Sequence, residues 1–253
     1  MRELIYTQLL EKKKINRKSF AVLIDPDHQK IKNLEATISI SNKHNVDYFF
    51  IGGSLILQDR LEECLRLIRE RSCIPVILFP GNGFQISAYA DAILFLSLVS
   101  GRNAEYLIGK QVEVATKLMT TNLEILSTAY MLIDGCNGNT ASYISQTIPI
   151  PRNKPEIAVA TAMASQYLGF QILFMDAGSG AQNSITPEMV SEVSAKVKIP
   201  LIIGGGISTG EKAIELFKAG ADLVVVGNAI EKDPSLIAEI SNVTRQYDQL
   251  FAK

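Results

Sequence analysis

The sequence predicts an eight-stranded β/α barrel of the TIM type, and three observations carry that reading. Eight short apolar runs are spread along the chain, helical periodicity fills most of the gaps between them, and no Ser/Pro-rich linker divides the 253 residues. The runs are FAVLI (20–24), DYFFI (47–51), PVILF (75–79), AILFLSL (92–98), AYMLI (129–133), QILFM (171–175), PLIIG (200–204) and DLVVV (222–226). They are continuous rather than alternating, the pattern of parallel strands covered on both faces. One domain over residues 1–253 follows; an open, doubly wound sheet is the other architecture this alternation allows.

The helices carry their own signals. Thr186 and Pro187 read as an N-cap and first helical residue, after which Val190, Val193 and Val197 share one face. Ser208 and Glu211 have capping-box spacing ahead of a helix that Gly220 is placed to end. One connection breaks the pattern. Between the third and fourth runs only PGNGFQISAYADA (80–92) is available, with two glycines and poor periodicity. That is too short for a crossover helix with its loops, so the third barrel helix is expected to be missing or irregular and the wall thinner there.

Composition narrows the function classes. A net charge of −1 argues against a nucleic-acid-binding surface, and the one basic run, KKKINRK (12–18), reads as a solvated loop between helices. The chain has no apolar stretch of membrane-spanning length and no apolar signal core near its amino terminus, which predicts a cytoplasmic protein. Three cysteines without C-x-x-C spacing read as reduced thiols.

In a barrel, chemistry sits where strands end. The seventh and eighth runs end in IIGGGIST (202–209) and VVVGNAIE (224–231), and the sixth ends in FMDAGSGAQNS (174–184). Glycine there lets the backbone approach a ligand closely and turn successive amides toward one anion. Two such stretches at the seventh and eighth strands, the usual phosphate position of this fold, point to a phosphate site rather than to tight turns alone. Asp176 stands just past the sixth strand, either as a carboxylate aimed into the mouth or as the cap of an Asp-Ala-Gly turn. On the other side of the mouth, Asp25 and Asp27 flank a proline in LIDPDHQK (23–30). Paired carboxylates on a loop suit Mg²⁺, a hard cation that bridges to phosphates; either aspartate could instead cap the next helix. Ser54, after two glycines, offers a metal or phosphate contact or an N-cap, and His28 reads as a surface residue.

Taken together, LIDPDH, FFIGGSL, SLVSGRNAEYLIGKQVEVA, PIPRNKPEIAVATAMASQYLG, FMDAGSGA, IIGGGIST and VVVGNAIE resemble the geranylgeranylglyceryl phosphate synthase family from about residue 19 to 232. The PIPRNKPEIA segment resembles the group II branch of archaeal and Bacteroidetes-type members. The resemblance implies a Mg²⁺-dependent prenyltransferase of ether phospholipid biosynthesis. In it, the 3-hydroxyl of sn-glycerol 1-phosphate attacks C1 of geranylgeranyl or a similar polyprenyl diphosphate and releases diphosphate. It also implies metal positions at Asp25 and Ser54. Glycerol-phosphate positions are implied at Phe174, Met175, Asp176, Ala177, Gly178, Ser179 and Gly180, at Gly205 and Gly206, and at Gly227 and Asn228. A missing third helix and a homo-oligomer, dimeric or hexameric, are further implications. The family commonly has Tyr and Glu where this chain has Phe174 and Asp176, so a phenol hydrogen bond is lost or supplied elsewhere and the carboxylate is drawn inward.

On this reading Asp176 is the general base, Mg²⁺ near Asp25 neutralises the departing diphosphate, and the prenyl tail runs along the thin wall at 80–92 and FLSLVSG (95–101). Transient membrane contact would serve product delivery. The rival enzyme is a phosphosugar isomerase using Asp25 and Asp134 as an acid–base pair; a non-catalytic phosphometabolite sensor is the rival of another class. Tyr143 reads as an interface anchor or an ordinary surface tyrosine.

Overall fold

The computed structural model describes residues 4–27, 34–53, 60–83, 85–136 and 140–252. Eight parallel strands close into a barrel in chain order: β1 Ser19–Ile24, β2 Tyr48–Ile51, β3 Val76–Leu78, β4 Ala92–Leu98, β5 Glu124–Leu132, β6 Ile172–Asp176, β7 Leu201–Gly204 and β8 Leu223–Val226. β8 pairs back onto β1 through Ser19↔Leu223 and the three pairs that follow, which excludes the open sheet. Each predicted run holds a strand. β5 departs most, starting at Glu124 rather than 129, because its first residues pair with Ala92–Phe95 of β4. Pairing with a neighbour extends a strand beyond its apolar run.

Around and between the strands lie α1 Ile5–Lys14, α2 Leu34–Lys43, α3 Leu61–Arg71, α4 Lys110–Leu118, α5 Thr140–Ser145, α6 Pro155–Tyr167, α7 Pro187–Ser194, α8 Gly210–Lys218, α9 Asn228–Lys232 and α10 Leu236–Phe251. A single π-helical turn, Glu105–Gly109, leads into α4. Among the described residues between β3 and β4 there is no helix, as the short connection requires.

The pleat sorts side chains into two layers. Ala21, Phe50, Leu94, Leu126, Phe174 and Ile202 fill the barrel interior. Their neighbours Phe20, Phe49, Met131, Leu173, Met175 and Ile203 face outward and pack under the helices. Val190, Val193 and Val197 are all buried in that outer layer.

Helix termini follow the signals with one shift. Thr186 accepts from the Met189 amide at 3.2 Å with Pro187 next, and Gly220 closes α8 at φ +109°. The α8 cap is Thr209, not Ser208: Thr209 has extended backbone and accepts from the Lys212 amide at 3.3 Å. The helix therefore begins one residue later, and the Gly210 amide donates to Glu239 of α10.

The basic run is not a solvated loop. Lys12 pairs with Asp47 at 2.5 Å and Lys13 with Asp222 at 2.6 Å, while the buried Lys18 ammonium lies 5.4 Å from the Tyr247 ring centre. Burial pushes the Lys18 ammonium below its ordinary pKa, and Asp222 pulls it back. These contacts lie at the amino ends of the strands, where α1 inserts Ile5 and Leu9 into the interior core. Leu4 at the cap of α1 gives its first amides no side-chain hydrogen bond. Glu124, at the start of β5, serves them instead, accepting from the Ile5 and Tyr6 amides at 2.6 and 2.9 Å. Glu124→Ala is expected to lose about 1–2 kcal/mol, the usual worth of an N-cap, read as a lower urea midpoint at unchanged slope.

Cys64, Cys73 and Cys136 are all free thiols. Burial pushes Cys64 up to about 12, which keeps it an unreactive core residue. Among the described residues no helix is long and apolar enough to cross a membrane.

Candidate active site

The carboxyl ends of the strands open into a cavity of about 730 Å³. Asp25 and Asp27 after β1, Asp176 at the end of β6, the glycines after β7, and Gly227 with Asn228 after β8 all line it. Residues separated by some two hundred positions in the chain thus share one concave surface because barrel closure places β8 beside β1.

The three glycine stretches meet. Ser179 Oγ donates to Asn228 Oδ1 at 3.0 Å, tying the loop after β6 to the end of β8. Gly205 and Gly206 adopt φ of +80° and +69°, backbone that glycine takes without strain. A Cβ on Gly205 would lie 2.7 Å from Asp176 Oδ1 and 2.8 Å from the Gly178 nitrogen. One on Gly206 would lie 2.5 Å from the main chain at Asn183 and Ser184. These glycines therefore make tight turns and also let three main-chain segments crowd one corner of the cavity.

Within 174–180 the pleat divides the predicted residues. Phe174, Asp176, Gly178, Ser179 and Gly180 line the cavity. Met175 and Ala177 are buried in the outer layer, and the Ala177 amide is used on Gly204 O, so their side chains do not line the cavity.

Phe174 belongs to an aromatic floor. Its ring stacks on Phe79 at 5.1 Å and meets Tyr130 edge-on at 5.6 Å, and Phe50 packs edge-on beneath both phenylalanines. The phenol that Phe174 lacks is present one strand away: Tyr130 donates its hydroxyl to Asp176 Oδ2 at 2.6 Å. The other carboxylate oxygen, Oδ1, accepts from the Gly178 amide at 2.8 Å, the Asp-Ala-Gly turn expected as an alternative. Turn cap and cavity-facing carboxylate are thus one residue. Burial pushes the Asp176 carboxyl above the ordinary range, and the hydrogen bonds from Tyr130 and Gly178 pull part of that back. Sequence reading passed over Tyr130, which looks like any residue of an apolar strand; only the β5–β6 pairing puts it beside Phe174.

On the β1 side, the Asp27 amide donates to Asp25 Oδ1 at 3.1 Å. The Gly53 backbone packs close against this carboxylate, since a Cβ there would sit 2.9 Å from Asp25 Oδ2. A carboxylate at the cavity mouth suits a hard cation that keeps several waters and substrate oxygens, as Mg²⁺ does. Among the described residues no group of three or more His, Cys, Asp or Glu forms a cage for a metal. Ser54 and His28 lie outside the described residues.

Asp134, proposed as an acid–base partner of Asp25 in the isomerase alternative, does not line the cavity. It is exposed, and its Oδ1 accepts from the Cys136 amide at 2.9 Å, a local turn that sequence spacing could not distinguish from a catalytic placement. Toward the thin wall the cavity becomes apolar, bounded by Phe79, Ile86, Phe95, Leu96 and Leu98. With no helix between β3 and β4 among the described residues, Pro80 to Gly83 and Ile86 border the opening directly.

A closed β/α barrel with acidic residues and glycine loops gathered at the carboxyl ends of its strands defines a barrel enzyme with its active centre at that mouth. Within that class the chain belongs to the PcrB family, which matches residues 13–245. A geranylgeranylglyceryl phosphate synthase of Chitinophaga pinensis is 49% identical to it over 242 residues, spanning 96% of each chain. One from Pyrococcus furiosus is 40% identical over 90% of this chain and 88% of its own. Among solved structures, (S)-3-O-geranylgeranylglyceryl phosphate synthase from Thermoplasma acidophilum, in complex with its substrate sn-glycerol-1-phosphate, is 31% identical. It superposes with a TM-score of 0.89 over 97% of this chain and 100% of that one. The similarity therefore reaches both arms of the branch that the PIPRNKPEIA segment pointed to.

Proposed function

We propose that this chain is a prenyltransferase that builds the ether bond between sn-glycerol 1-phosphate and geranylgeranyl or a similar polyprenyl diphosphate. One observation carries the reading: a buried carboxylate and three converging glycine loops share a cavity whose other end is apolar. The glycine corner suits the phosphate of the acceptor, the aromatic and aliphatic side suits the prenyl chain, and Asp176 lies between them.

The main-chain corner at Gly205, Gly206, Gly227 and Asn228 orients the acceptor so that its 3-hydroxyl faces C1 of the donor. Asp176 accepts the hydroxyl proton as the new C–O bond forms and the bond from C1 to the diphosphate oxygen breaks. The electron pair of the broken bond leaves with diphosphate. Asp25, together with Ser54, would hold a magnesium ion whose chemistry is neutralisation of the charge on that leaving group. Phe79, Phe174 and Tyr130 keep water from the reacting carbon by filling the floor.

A homo-oligomer accompanies this reading. On α6 and its carboxyl cap Ile157, Tyr167 and Leu168 are exposed by 43%, 76% and 78%, apolar surface suited to a second copy. Tyr143, 86% exposed on α5, is a further apolar surface residue.

The test incubates the purified chain with Mg²⁺, glycerol 1-phosphate or 3-phosphate, and prenyl diphosphates of graded length, followed by mass analysis. An ether product from the 1-phosphate, abolished by EDTA and restored by Mg²⁺, is the expected result. Absence of ether product with every donor overturns the proposal, and turnover of an aminoaldose phosphate would favour the isomerase reading instead.

A further inference from the structure

The structure assigns Tyr130 as a positioning residue for the transfer reaction: its phenol holds the Asp176 carboxylate in one orientation, with Oδ1 turned toward the glycine corner. This assignment rests on Asp176 being the base. β5 and β6 pair in parallel with Tyr130 opposite Phe174 and Leu132 opposite Asp176, so the phenol must climb two residues, about 6.6 Å of strand, to reach the carboxylate. Tyrosine has the length to do that from an inward-facing position. The ring cannot swing away, because it packs edge-on against Phe79 at 5.9 Å and Phe174 at 5.6 Å.

Two donors on two oxygens fix the carboxylate plane. Tyr130 takes Oδ2 and the Gly178 amide takes Oδ1, yet each ionised oxygen can accept a second hydrogen bond. Oδ1 is the oxygen on the side of the glycine corner, where a Cβ on Gly205 would lie 2.7 Å from it. A hydroxyl arriving from the glycine corner therefore meets Oδ1, while Oδ2 stays anchored to the floor.

The same phenol offsets part of the effect of burial on the carboxyl, since a donor stabilises the ionised form that burial disfavours. Burial and the adjacent Asp176 hold the Tyr130 phenol well above its ordinary pKa, so it donates throughout the working range. Tyr130 is the titratable group facing Asp176 from β5, and β7 presents only Gly204 and Gly205. Asp25, Asp27, Lys110, Glu231 and Lys232 are the other charged groups lining the same cavity among the described residues.

The experiment compares Tyr130→Phe, Tyr130→3-fluorotyrosine and Asp176→Asn in steady-state assays with glycerol 1-phosphate across pH, after circular dichroism confirms folding. Tyr130→Phe is expected to lower kcat about tenfold to a hundredfold with KM for glycerol 1-phosphate within about twofold. It should also raise the acid limb of the pH profile by about one unit, the effect of losing one hydrogen bond to a charged group. Fluorotyrosine keeps the shape and donates more strongly, so it moves the limb the other way; should the Phe variant not fold, this shift decides alone. An acid limb that stays in place in the folded Tyr130 variants, with Asp176→Asn inactive, overturns the role of Tyr130 alone. Near-normal turnover of Asp176→Asn removes the base and this assignment with it.

Discussion

Asp176→Asn is expected to cut turnover about 10²- to 10⁴-fold, the usual contribution of a positioned general base, while KM for glycerol 1-phosphate changes by no more than a few-fold. The acceptor's phosphate is held by the glycine corner, and that corner is unchanged by the substitution. The amide can still accept from Tyr130, but it has no lone pair basic enough to take the hydroxyl proton. In the native chain the pH profile has a definite sign. Only ionised Asp176 is a base, and burial has pushed its carboxyl above the ordinary range. Activity is therefore full above that raised value and falls as pH drops through it, sooner than for an exposed aspartate. Steady-state rates from mildly acidic to neutral pH, for the native and Asn chains, measure both effects. A variant with an unchanged kcat would show that another group, or water, removes the proton.

Gly205→Ala is the second large effect, with a loss of about 100-fold in kcat/KM. Two penalties combine. At φ +80° a side chain costs about 1–2 kcal/mol, and its Cβ would lie 2.7 Å from Asp176 Oδ1 and 2.8 Å from the Ala177 and Gly178 nitrogens. Two of those three neighbours are main chain, with no flexible end to swing aside. Relief therefore requires moving the carboxylate or its Gly178 donor, and either displaces the base by a fraction of the distance that matters for proton transfer. Gly169→Ala separates strain from function. Its φ is +89° and a Cβ there meets nothing within 4 Å, far from the mouth at the end of α6. The Gly169 variant should melt at a lower temperature with kcat/KM intact, while the Gly205 variant loses kcat/KM by much more than its melting shift accounts for. Equal activity in the two chains would mean that the glycine corner does not govern substrate geometry.

Much of the architecture was legible in local pattern. Unbroken apolar runs named all eight strands, and a connection of thirteen residues between the third and fourth was already too short for a helix. Glycine stretches after three strands, with Asp176 among them, mark the mouth in the sequence alone. What local pattern could not separate were residues of equal appearance with different partners. Asp134 and Asp176 both stand at the carboxyl end of an apolar run and both cap a turn, yet one is exposed beside Cys136 and the other is buried under Tyr130. Lys12 and Lys13 looked like solvated charges because Asp47 and Asp222, which pair with them, are distant in the chain. Thr209 took the cap that Ser208 was expected to hold because its own backbone is extended and Glu239 of α10 receives the next amide.

The amino-acid order by itself determined the barrel, its thin wall and the kinds of group at its mouth, because strand burial, helix periodicity and glycine's conformational freedom are properties of neighbours in the chain. Only the closed tertiary structure decided which of those groups meet: that the Tyr130 phenol lands on Asp176, that Ser179 reaches Asn228, and that Met175 and Ala177 turn away. The reason is register. Pairing between strands sets height and facing for residues far apart in the chain, and a slip of one residue would send each of these side chains to the opposite face.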